Sequence, residues 1–442
     1  MRKTKIICTI GPASENEEVL EKMCQAGMNV ARLNFSHGSH DEHLEKIKKI
    51  KKVREKLGYP LPIMLDTKGP EYRIRDFKNG KETLIDGQAF TFTTRDLLGD
   101  NTIVSVNYAD LVSELKTGDR ILVNNGLLIF KVKELTATDV ICEVISGGEI
   151  SDRKSMNFPN HVFKGQYLSD DDKADLLFGI ENDVDFVAAS FVSNKENVCE
   201  LRKFLDENGG KDIDIIAKIE NRAGVDNIDE ICEIADGIMV ARGDLGVEIP
   251  FIEVPAIQKY LIKKCRLLGK RVITATEMLE SMIHNPRPTR AEISDVANAV
   301  YDGSSAIMLS GESAAGKYPV EAVRNMAEIA EYTEKNIDTK AKGIVISSMS
   351  GITVRMVSRF RCPVDIIGIT TSLKAWRKLN LSWGVTPVMS DEFDSVDVMF
   401  YQATQHAVEI LGLVSGDNIT LTGGQTSKQS GSTNTIRLET IK

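Results

Sequence analysis

The chain has 442 residues, 42% hydrophobic and 27% charged, which is typical of a globular protein with two or three domains and excludes a disordered or fibrous one. Its formal net charge of −9 argues against a general nucleic-acid-binding protein, so an anionic ligand must be held by local cations. Seven scattered cysteines without a C-x-x-C pair, and no apolar run of membrane-spanning or signal-peptide type, favour a soluble cytoplasmic protein with reduced thiols.

Short apolar runs alternate with longer amphipathic segments, as in parallel strands connected by helices. Eight runs are predicted as strands, at residues 5–10, 29–33, 63–65, 185–189, 213–219, 237–241, 271–275 and 306–309. Eight repeats of strand and helix predict an α/β fold, a (β/α)8 TIM barrel formed by residues 1–70 and 167–338. A doubly wound sheet is the main alternative, but no G-x-G-x-x-G follows the first strand.

The helices that follow these strands have their own signals. Within the lysine-rich stretch 46–56, Ile47, Ile50 and Val53 recur at helical spacing, which indicates a solvated helix face rather than a binding patch. Capping boxes predict three helix starts, with a Ser or Thr three residues before a Glu. The pairs are Ser14 with Glu17, Ser193 with Glu196, and Thr289 with Glu292.

Residues 71–166 change to short alternating stretches separated by turn signals such as Asp-Gly and Asn-Asn-Gly. Strands are predicted at 89–93, 103–106, 120–123, 128–132 and 140–145. The pattern predicts a small all-β domain, a β-barrel lid inserted after the third strand, at the rim where barrel active sites lie. Structural decoration without a lid function is the alternative.

Residues 339–442 predict a third unit, an α/β regulatory domain. Its predicted strands are 342–346, 365–370 and 418–422, and its predicted helices are 353–360 and 373–379. The segment 423–432 is rich in Gly, Ser, Thr and Gln.

Polar side chains are concentrated at the carboxyl ends of the predicted barrel strands, which in such a barrel share one face. They are Arg32, Asn34, Ser36, Asp66, Thr67, Lys68, Arg73, Ser190, Lys218, Glu220, Arg242, Asp244, Thr276, Glu277, Ser310 and Glu312. In a strand of period two, Lys218 and Glu220 point the same way. Glu220 and Asp244 suit Mg2+ or Mn2+, with structural salt bridges as the alternative.

The same rim supplies cations and neutral oxygens. Three cations on it can hold a phosphoryl group and neutralise developing charge: Arg32, Arg73 and Lys218. One carboxylate with neutral oxygens suits a monovalent cation, although hydrogen bonding within the loops is the alternative: Asn34, Ser36, Asp66 and Thr67. No P-loop, H-E-x-x-H motif or Cys/His cluster occurs, and His37 and His40 are interpreted as local structure.

Seven motifs resemble those of the pyruvate kinase family, in the same order and over nearly the whole chain. They are CTIGPAS (8–14), NVARLNFSHG (29–38), LDTKGPE (65–71), AKIEN (217–221), MVARGDLG (239–246), NPRPTRAE (285–292) and MLSGE (308–312). The resemblance is to bacterial, three-domain members. It implies transfer of a phosphoryl group from phosphoenolpyruvate to ADP, giving pyruvate and ATP in the final step of glycolysis, by a cytoplasmic homotetramer that binds neither nucleic acid nor membranes.

The resemblance also implies roles for individual residues. Lys218 stabilises the transferring phosphoryl group and the enolate, Arg32 and Arg73 contact phosphates, and Thr276 takes part in proton delivery. Substrate binding falls to Arg32, Lys218, Gly243, Asp244 and Thr276, and nucleotide binding to Asn34 and Arg73. Glu220 and Asp244 bind Mg2+ or Mn2+, and K+ is bound by Asn34, Ser36, Asp66 and Thr67. Glu71 matches the residue type associated with potassium dependence.

Three departures from the family concern regulation. Glu277 stands where Gln is usual and adds negative charge near the rim. The segment 347–353 resembles the loop that binds a sugar-phosphate or AMP effector, through Ser348, Ser350, Gly351 and Thr353, but Ile352 replaces a hydroxyl or basic residue. The join 335–340 lacks the residues that form the first helices of the third domain. Because a true deletion would expose one sheet face, we favour an omitted segment; an intact mass near 48.8 kDa would indicate deletion.

Two other functions are weighed against this one. A metal-dependent lyase or aldolase of the phosphoenolpyruvate and pyruvate barrels would share the metal carboxylates, but would need neither the inserted domain nor the potassium set. A non-catalytic regulatory relative would be expected to lose Lys218, Glu220 or Asp244, and all three are present.

Overall fold

The structure is a computed structural model, and it describes residues 2–70, 72–124, 126–159, 166–335, 342–393, 395–424 and 433–441. The chain begins with β1 (Lys5–Thr9), α1 (Glu17–Ala26), β2 (Val30–Asn34), α2 (His40–Leu57) and β3 (Ile63–Asp66). The strands are buried almost throughout, because parallel strands covered by helices have no solvent face. Helix α2 buries Ile47, Ile50 and Val53, and its lysines are exposed or half-buried, as expected for a solvated face.

The inserted domain follows β3. Its elements are β4 (Tyr72–Arg73), β5 (Lys81–Leu84), β6 (Ala89–Thr93), β7 (Ile103–Ser105), α3 (Leu111–Glu114), β8 (Arg120–Val123), β9 (Leu128–Leu135), β10 (Asp139–Ser146), β11 (Gly148–Ser151) and β12 (Ser155–Asn157). Seven strands form one sheet in the order β4-β12-β8-β9-β10-β6-β7, and β5 pairs with β11. Three buried aromatic rings, Phe90, Phe92 and Phe130, pack against one another in its core.

The chain then completes the barrel. The elements are α4 (Asp170–Glu181), β13 (Phe186–Ala189), α5 (Lys195–Glu207), β14 (Asp214–Ile219), α6 (Arg222–Asp226), α7 (Ile228–Ile234), β15 (Gly237–Ala241), α8 (Arg242–Glu248), α9 (Val254–Leu268), β16 (Arg271–Ala275), α10 (Arg290–Asp302), β17 (Ala306–Leu309), α11 (Gly311–Ala314) and α12 (Pro319–Lys335). The predicted eight-stranded barrel is confirmed: all neighbours are parallel, in the closed order β1-β17-β16-β15-β14-β13-β3-β2.

Two of the three predicted capping boxes are wrong. Thr289 and Glu292 form a reciprocal capping box at the start of α10, as predicted. Helix α1 is instead capped by Asn16 and helix α5 by Asn194, whose side chains accept hydrogen bonds from the backbone of the first turn. Asn caps a helix as well as Ser does, so how the chain leaves each strand decides which residue takes the position.

The C-terminal domain is a five-stranded sheet with helices. Its elements are β18 (Gly343–Ser347), α13 (Ile352–Ser358), β19 (Asp365–Thr370), α14 (Leu373–Leu379), β20 (Val385–Met389), α15 (Val396–Leu411), β21 (Asn418–Gly424) and β22 (Thr433–Thr440). The order is β20-β19-β18-β21-β22, with only β22 antiparallel. Strands β20 and β22 and helix α15 were not predicted. No helix in the described ranges is long and apolar enough to cross a bilayer.

One face of this sheet exposes apolar side chains at the edge strand β22. Ile436 and Leu438 are 79% and 72% exposed, and they lie opposite Thr422 and Thr420 of β21. Loss of the domain's first helices would leave a sheet face uncovered in this way. Residues 336–340 of the short join lie outside the described residues, so the origin of the join stays a prediction.

The C-terminal domain docks against the amino-terminal ends of the barrel strands through α14. Arg377 donates to the fully buried Asp185 at 2.7 Å, just before β13. Leu381, which follows α14, joins the apolar cluster inside the barrel. The opposite ends of the strands are left for the polar residues of the rim.

Candidate active site

Asp66 lies at the centre of the rim, at the end of β3, and is fully buried. Its Oδ2 accepts a hydrogen bond from Arg32 Nε at 2.7 Å, and its Oδ1 accepts one from Lys218 Nζ at 3.0 Å. Burial alone would raise the pKa of Asp66, but Arg32 and Lys218 outweigh it and lower that pKa. Asp66 is therefore a carboxylate that holds both cations in place.

Lys218 has two further partners on the same rim. Its Nζ donates to Ser190 Oγ at 2.7 Å and lies 3.0 Å from Glu220 Oε1. The expectation that Lys218 and Glu220 point the same way is thus confirmed. Burial would lower the pKa of Lys218, but Asp66 and Glu220 raise it overall, so the side chain stays an ammonium ion.

Glu220 is fully buried and only half satisfied by hydrogen bonds. Its Oε2 accepts from the backbone N–H of Phe191 at 2.6 Å, whereas Oε1 makes no hydrogen bond to the described residues. Phe191 adopts φ 54°, a left-handed conformation unusual for a bulky residue, and this aims its N–H at the carboxylate. Burial raises the pKa of Glu220 to about 7, with Lys218 lowering it and Asp244 raising it.

The two candidate metal carboxylates fit a divalent cation. Asp244 lies exposed in the first turn of α8, while Glu220 Oε1 forms an ion pair with Lys218 at 3.0 Å and accepts no well-aligned hydrogen bond from the described residues. Across the described ranges, no group of three or more His, Cys, Asp or Glu side chains could hold a metal ion. Mg2+ is usually bound by only one or two protein carboxylates, with water and substrate completing its shell, so this donor set suits it.

Arg242 fixes Thr276 at the neighbouring strand end. Its Nη2 donates to Thr276 O at 2.6 Å, and its Nη1 donates to both oxygens of Asp295, at 2.9 and 2.7 Å. The carboxylate partner of Arg242 is thus Asp295 on α10. Thr276 adopts φ 69°, and its Oγ1 accepts from Gly243 N at 2.8 Å.

The four candidate potassium ligands lie on two neighbouring strand ends. Asn34 of β2 is directly opposite Asp66 of β3 in the sheet register. Asn34 Oδ1 accepts from Ser36 N at 3.2 Å, and Thr67 Oγ1 accepts from Ser190 N at 3.1 Å. Loop hydrogen bonding is thus present, and carbonyl and hydroxyl oxygens with one carboxylate still form a donor set that suits a monovalent cation.

Arg73 does not lie at the end of a barrel strand. It lies in β4 of the inserted domain, where its Nη1 donates to Arg153 O at 2.6 Å. Glu71, two residues earlier, lies outside the described residues. Sequence reasoning placed Arg73 with the strand-end cations because it follows β3 closely, whereas the chain has already entered the inserted domain there.

His40 has a local structural role, and His37 and Glu277 are exposed. His40 Nε2 lies 2.6 Å from Asp175 Oδ1, and its ring stacks on Phe178, so its interpretation as local structure is confirmed. His37 is exposed, with its backbone N–H bonded to Asn34 O. Glu277 is exposed at φ 55°, at the rim.

The candidate effector loop joins β18 to α13. Gly351 adopts φ 72° as the residue before α13, and Thr353 Oγ1 lies 2.9 Å from Thr433 Oγ1. Ser348 N donates to Ile369 O, and Ser350 precedes Gly351 in the same turn. All four candidate effector ligands therefore lie in this loop or in the first turn of α13. Residues 425–432, from the Gly- and Ser-rich segment, lie outside the described residues.

Three residues of the site were missed from the sequence. Thr9, at the end of β1, accepts from Arg32 Nη1 at 2.8 Å; its position at a strand end was an available signal. Phe191 and Asp295 carried no such signal. Residue type alone does not show that Phe191 has a left-handed backbone, or that Asp295 on α10 binds Arg242.

Comparisons with known proteins agree over the whole chain. The family models "Pyruvate kinase, barrel domain" and "Pyruvate kinase, alpha/beta domain" match residues 1–323 and 324–439. Pyruvate kinases of Clostridium perfringens and Clostridium acetobutylicum are 47% and 45% identical, with 100% of each chain covered. The first of these alignments spans 474 positions, against 442 residues here.

A solved structure leads to the same family. The crystal structure of a pyruvate kinase from Cryptosporidium parvum superposes with a TM-score of 0.95 at 36% identity, covering 100% of this chain and 96% of that one. The pyruvate kinase of Geobacillus stearothermophilus is 44% identical over 100% of this chain and 80% of its own length. With both family models and these full-length relatives, the chain belongs to the pyruvate kinase family.

Proposed function

We propose that this chain transfers the phosphoryl group of phosphoenolpyruvate to ADP and releases pyruvate and ATP. The observation that carries the proposal is the buried arrangement of Arg32, Asp66, Lys218 and Glu220 at one end of the barrel, with Asp244 beside it. Two fixed cations next to two carboxylates suit an anionic substrate held with a divalent metal ion.

Lys218 and Arg32 supply the positive charge. The transferring phosphoryl group spreads negative charge over its oxygens, and the departing enolate gains charge as well. The Lys218 ammonium, preorganised by Asp66 and Ser190, stabilises this charge without reorganisation at the moment of reaction. Arg32, held by Asp66 and Thr9, contacts the phosphoryl oxygens.

Glu220 and Asp244 would hold Mg2+ or Mn2+, which neutralises phosphate and enolate oxygens when bound. Gly243, between Arg242 and Asp244, leaves room for substrate beside Thr276, because a Cβ there would lie 3.5 Å from Thr276 Oγ1. The Thr276 hydroxyl is held by Gly243 N and donates to Ala275 O at 2.6 Å. It can thus take part in delivering a proton to the enolate.

A monovalent cation completes the proposed site. Asn34, Ser36, Asp66 and Thr67 would bind K+, and Glu71 leaves a charge deficit that the cation fills. Activity is therefore expected to require K+. Equal turnover with tetramethylammonium as the only monovalent cation would contradict this part of the proposal.

The inserted domain is proposed to act as a lid. Arg73 in β4 would then reach the nucleotide phosphates when the domain closes over the rim, together with Asn34. A homotetramer and a sugar-phosphate or AMP effector at Ser348, Ser350, Gly351 and Thr353 are proposed from the family resemblance. Titrating activity with fructose bisphosphate and with AMP tests the effector.

The decisive experiment measures pyruvate formation from phosphoenolpyruvate and ADP with Mg2+, with and without K+. We expect ADP-dependent turnover that K+ stimulates. Bond cleavage in a phosphoenolpyruvate-derived substrate without ADP would favour the lyase or aldolase alternative. Ligand binding without any turnover by the intact protein would favour a non-catalytic regulatory relative.

A further inference from the structure

Helix α8 connects the candidate metal ligand Asp244 to the inserted domain. It carries Asp244 in its first turn and ends at Glu248, which is 7% exposed. Glu248 Oε1 accepts a hydrogen bond from Asn157 Nδ2 at 3.0 Å. Asn157 is the last residue of β12, so a partly buried side-chain bond joins the inserted domain to the helix that carries Asp244.

Asn157 lies where the inserted domain is attached to the barrel. Strand β12 pairs with β4, with Ser155 opposite Arg73. β4 is the first strand after the barrel strand β3, and β12 is the last one before the chain returns to the barrel. The two connecting strands therefore form one antiparallel ladder, and Glu248 holds its end.

Other contacts support the same attachment. The backbone N–H of Phe158, next to Asn157, also hydrogen-bonds to Glu248. On the neighbouring turn of the inserted domain, a Cβ added to Gly126 would lie 3.7 Å from Val247 Cγ1. The last turn of α8 thus meets the inserted domain at two places.

Burying the carboxylate of Glu248 costs more free energy than a purely structural contact needs to. It forms no ion pair with the described residues, although its side chain is buried, and a buried carboxylate without a cation is unfavourable. Burial raises the pKa of Glu248 to about 7; Asn157 and Phe158 lower it, and the nearby Asp244 raises it. Perturbed carboxylates of this kind concentrate at functional sites.

We propose that Glu248 is a positioning residue, which fixes the attachment of the inserted domain through Asn157 relative to Asp244 and so sets where Arg73 lies when the domain closes over the rim. The expected effect on the KM for ADP rests on the proposed function. The orientation of the inserted domain can be measured without turnover. Glu248 touches neither substrate nor metal in this scheme.

The first test is kinetic. Glu248→Ala and Asn157→Ala should each raise the KM for ADP about tenfold, the effect of losing one hydrogen bond to a charged group. The double variant should be no worse than Glu248→Ala alone, because that substitution already removes the bond to Asn157. Glu248→Gln should recover most of the loss, since its amide oxygen still accepts from Phe158 N–H.

A matched control lies on the surface of the inserted domain. Asn79 Nδ2 donates to Glu82 at the same 3.0 Å, within the inserted domain and exposed. Asn79→Ala removes the same kind of hydrogen bond, from an Asn amide to a Glu carboxylate, away from the barrel. It should leave the KM for ADP unchanged. An equal rise in all three alanine variants would mean that general loosening of the domain, and not its attachment, is responsible.

The second test measures the orientation of the inserted domain without turnover. Spin labels at the exposed Cys199 on α5 and at Glu149→Cys on β11, in a Cys362→Ser background, report the distance between barrel and inserted domain. We expect a broader distance distribution in Glu248→Ala and Asn157→Ala than in wild type or Asn79→Ala.

The two tests separate the inference from the proposed function. Unchanged distance distributions in both variants overturn the role of Glu248, and Asn157→Ala alone suffices if Glu248→Ala does not fold. Broadened distributions in a protein that shows no phosphoryl transfer would uphold the positioning role and contradict the proposed function.

Discussion

The Nζ atom of Lys218 and the Oδ1 atom of Asp66 lie 3.0 Å apart, and the other oxygen of Asp66 is 2.7 Å from Arg32 Nε. One buried carboxylate therefore positions both cations that would meet the transferring phosphoryl group. Removing the carboxylate takes away the ion-pair partner of Arg32 and leaves Lys218 with Glu220 alone, whereas removing one cation leaves the other pair of Asp66 intact.

Asp66→Asn is expected to lower the free energy of unfolding of the barrel by about 3–5 kcal/mol and to abolish turnover, because it breaks a buried ion cluster from its centre. Thermal unfolding followed by circular dichroism measures the loss. Asp96→Asn is the control: Asp96 is 87% exposed and pairs with Arg75 at 3.3 Å, so its loss should cost less than about 0.5 kcal/mol. Similar losses in the two variants would contradict the central role of Asp66.

Lys218→Met should reduce turnover by about 10³-fold or more, since the ammonium ion is the preorganised charge nearest the proposed reacting group. Pyruvate formation under saturating substrate measures this effect. Mn2+ binding, followed by electron paramagnetic resonance, should persist, because Glu220 and Asp244 remain. Turnover within tenfold of wild type would rule out the proposed role for Lys218.

Arg242→Lys tests the hold on Thr276. The planar guanidinium of Arg242 binds Asp295 and the Thr276 carbonyl at the same time, and the single ammonium group of a lysine cannot reproduce this geometry. Thr276 should therefore lose its left-handed conformation. We expect kcat to fall about 10²-fold, as for a displaced catalytic group, with Mn2+ binding retained.

The control for that substitution is Arg222→Lys. Arg222 makes one 2.5 Å contact with Glu253, away from Thr276, and both side chains are partly exposed. Its kcat should match that of wild type. If Arg242→Lys also leaves kcat unchanged, the orientation of Thr276 does not depend on the guanidinium.

Metal binding should release a proton from Glu220 below neutral pH. Burial raises the pKa of Glu220 to about 7 in the metal-free protein, and a metal ion requires the carboxylate. Near pH 6 binding should therefore displace about one proton, and affinity should fall about tenfold for each pH unit below the pKa. Near pH 8.5 the release should vanish.

Calorimetry of Mn2+ binding in two buffers of different ionisation enthalpy measures the released proton. Glu248→Gln is the control, because burial raises the pKa of Glu248 to about 7 as well, although Glu248 is not a proposed metal ligand. That variant should still release the proton. A binding heat independent of buffer near pH 6 would show that Glu220 is already ionised.

The sequence predicted the barrel almost residue by residue. The predicted strands 237–241 and 271–275 coincide with β15 and β16, because strands covered on both sides are continuous apolar runs bounded by polar residues. Strand β20 was missed, since it contains Pro387 and is mostly half-buried. Helix α15 was missed although its buried residues Met399, Phe400, Ala403 and Ala407 recur at helical spacing.

By itself, the sequence determined which residues meet at the rim, since barrel geometry brings the carboxyl ends of all eight strands to one face. Lys218 and Glu220 could be paired from their spacing along one strand. Only the tertiary structure decided that Arg242 binds Asp295 and that Glu248 holds Asn157. Those contacts join residues far apart in the chain, on elements whose relative orientation no local pattern encodes.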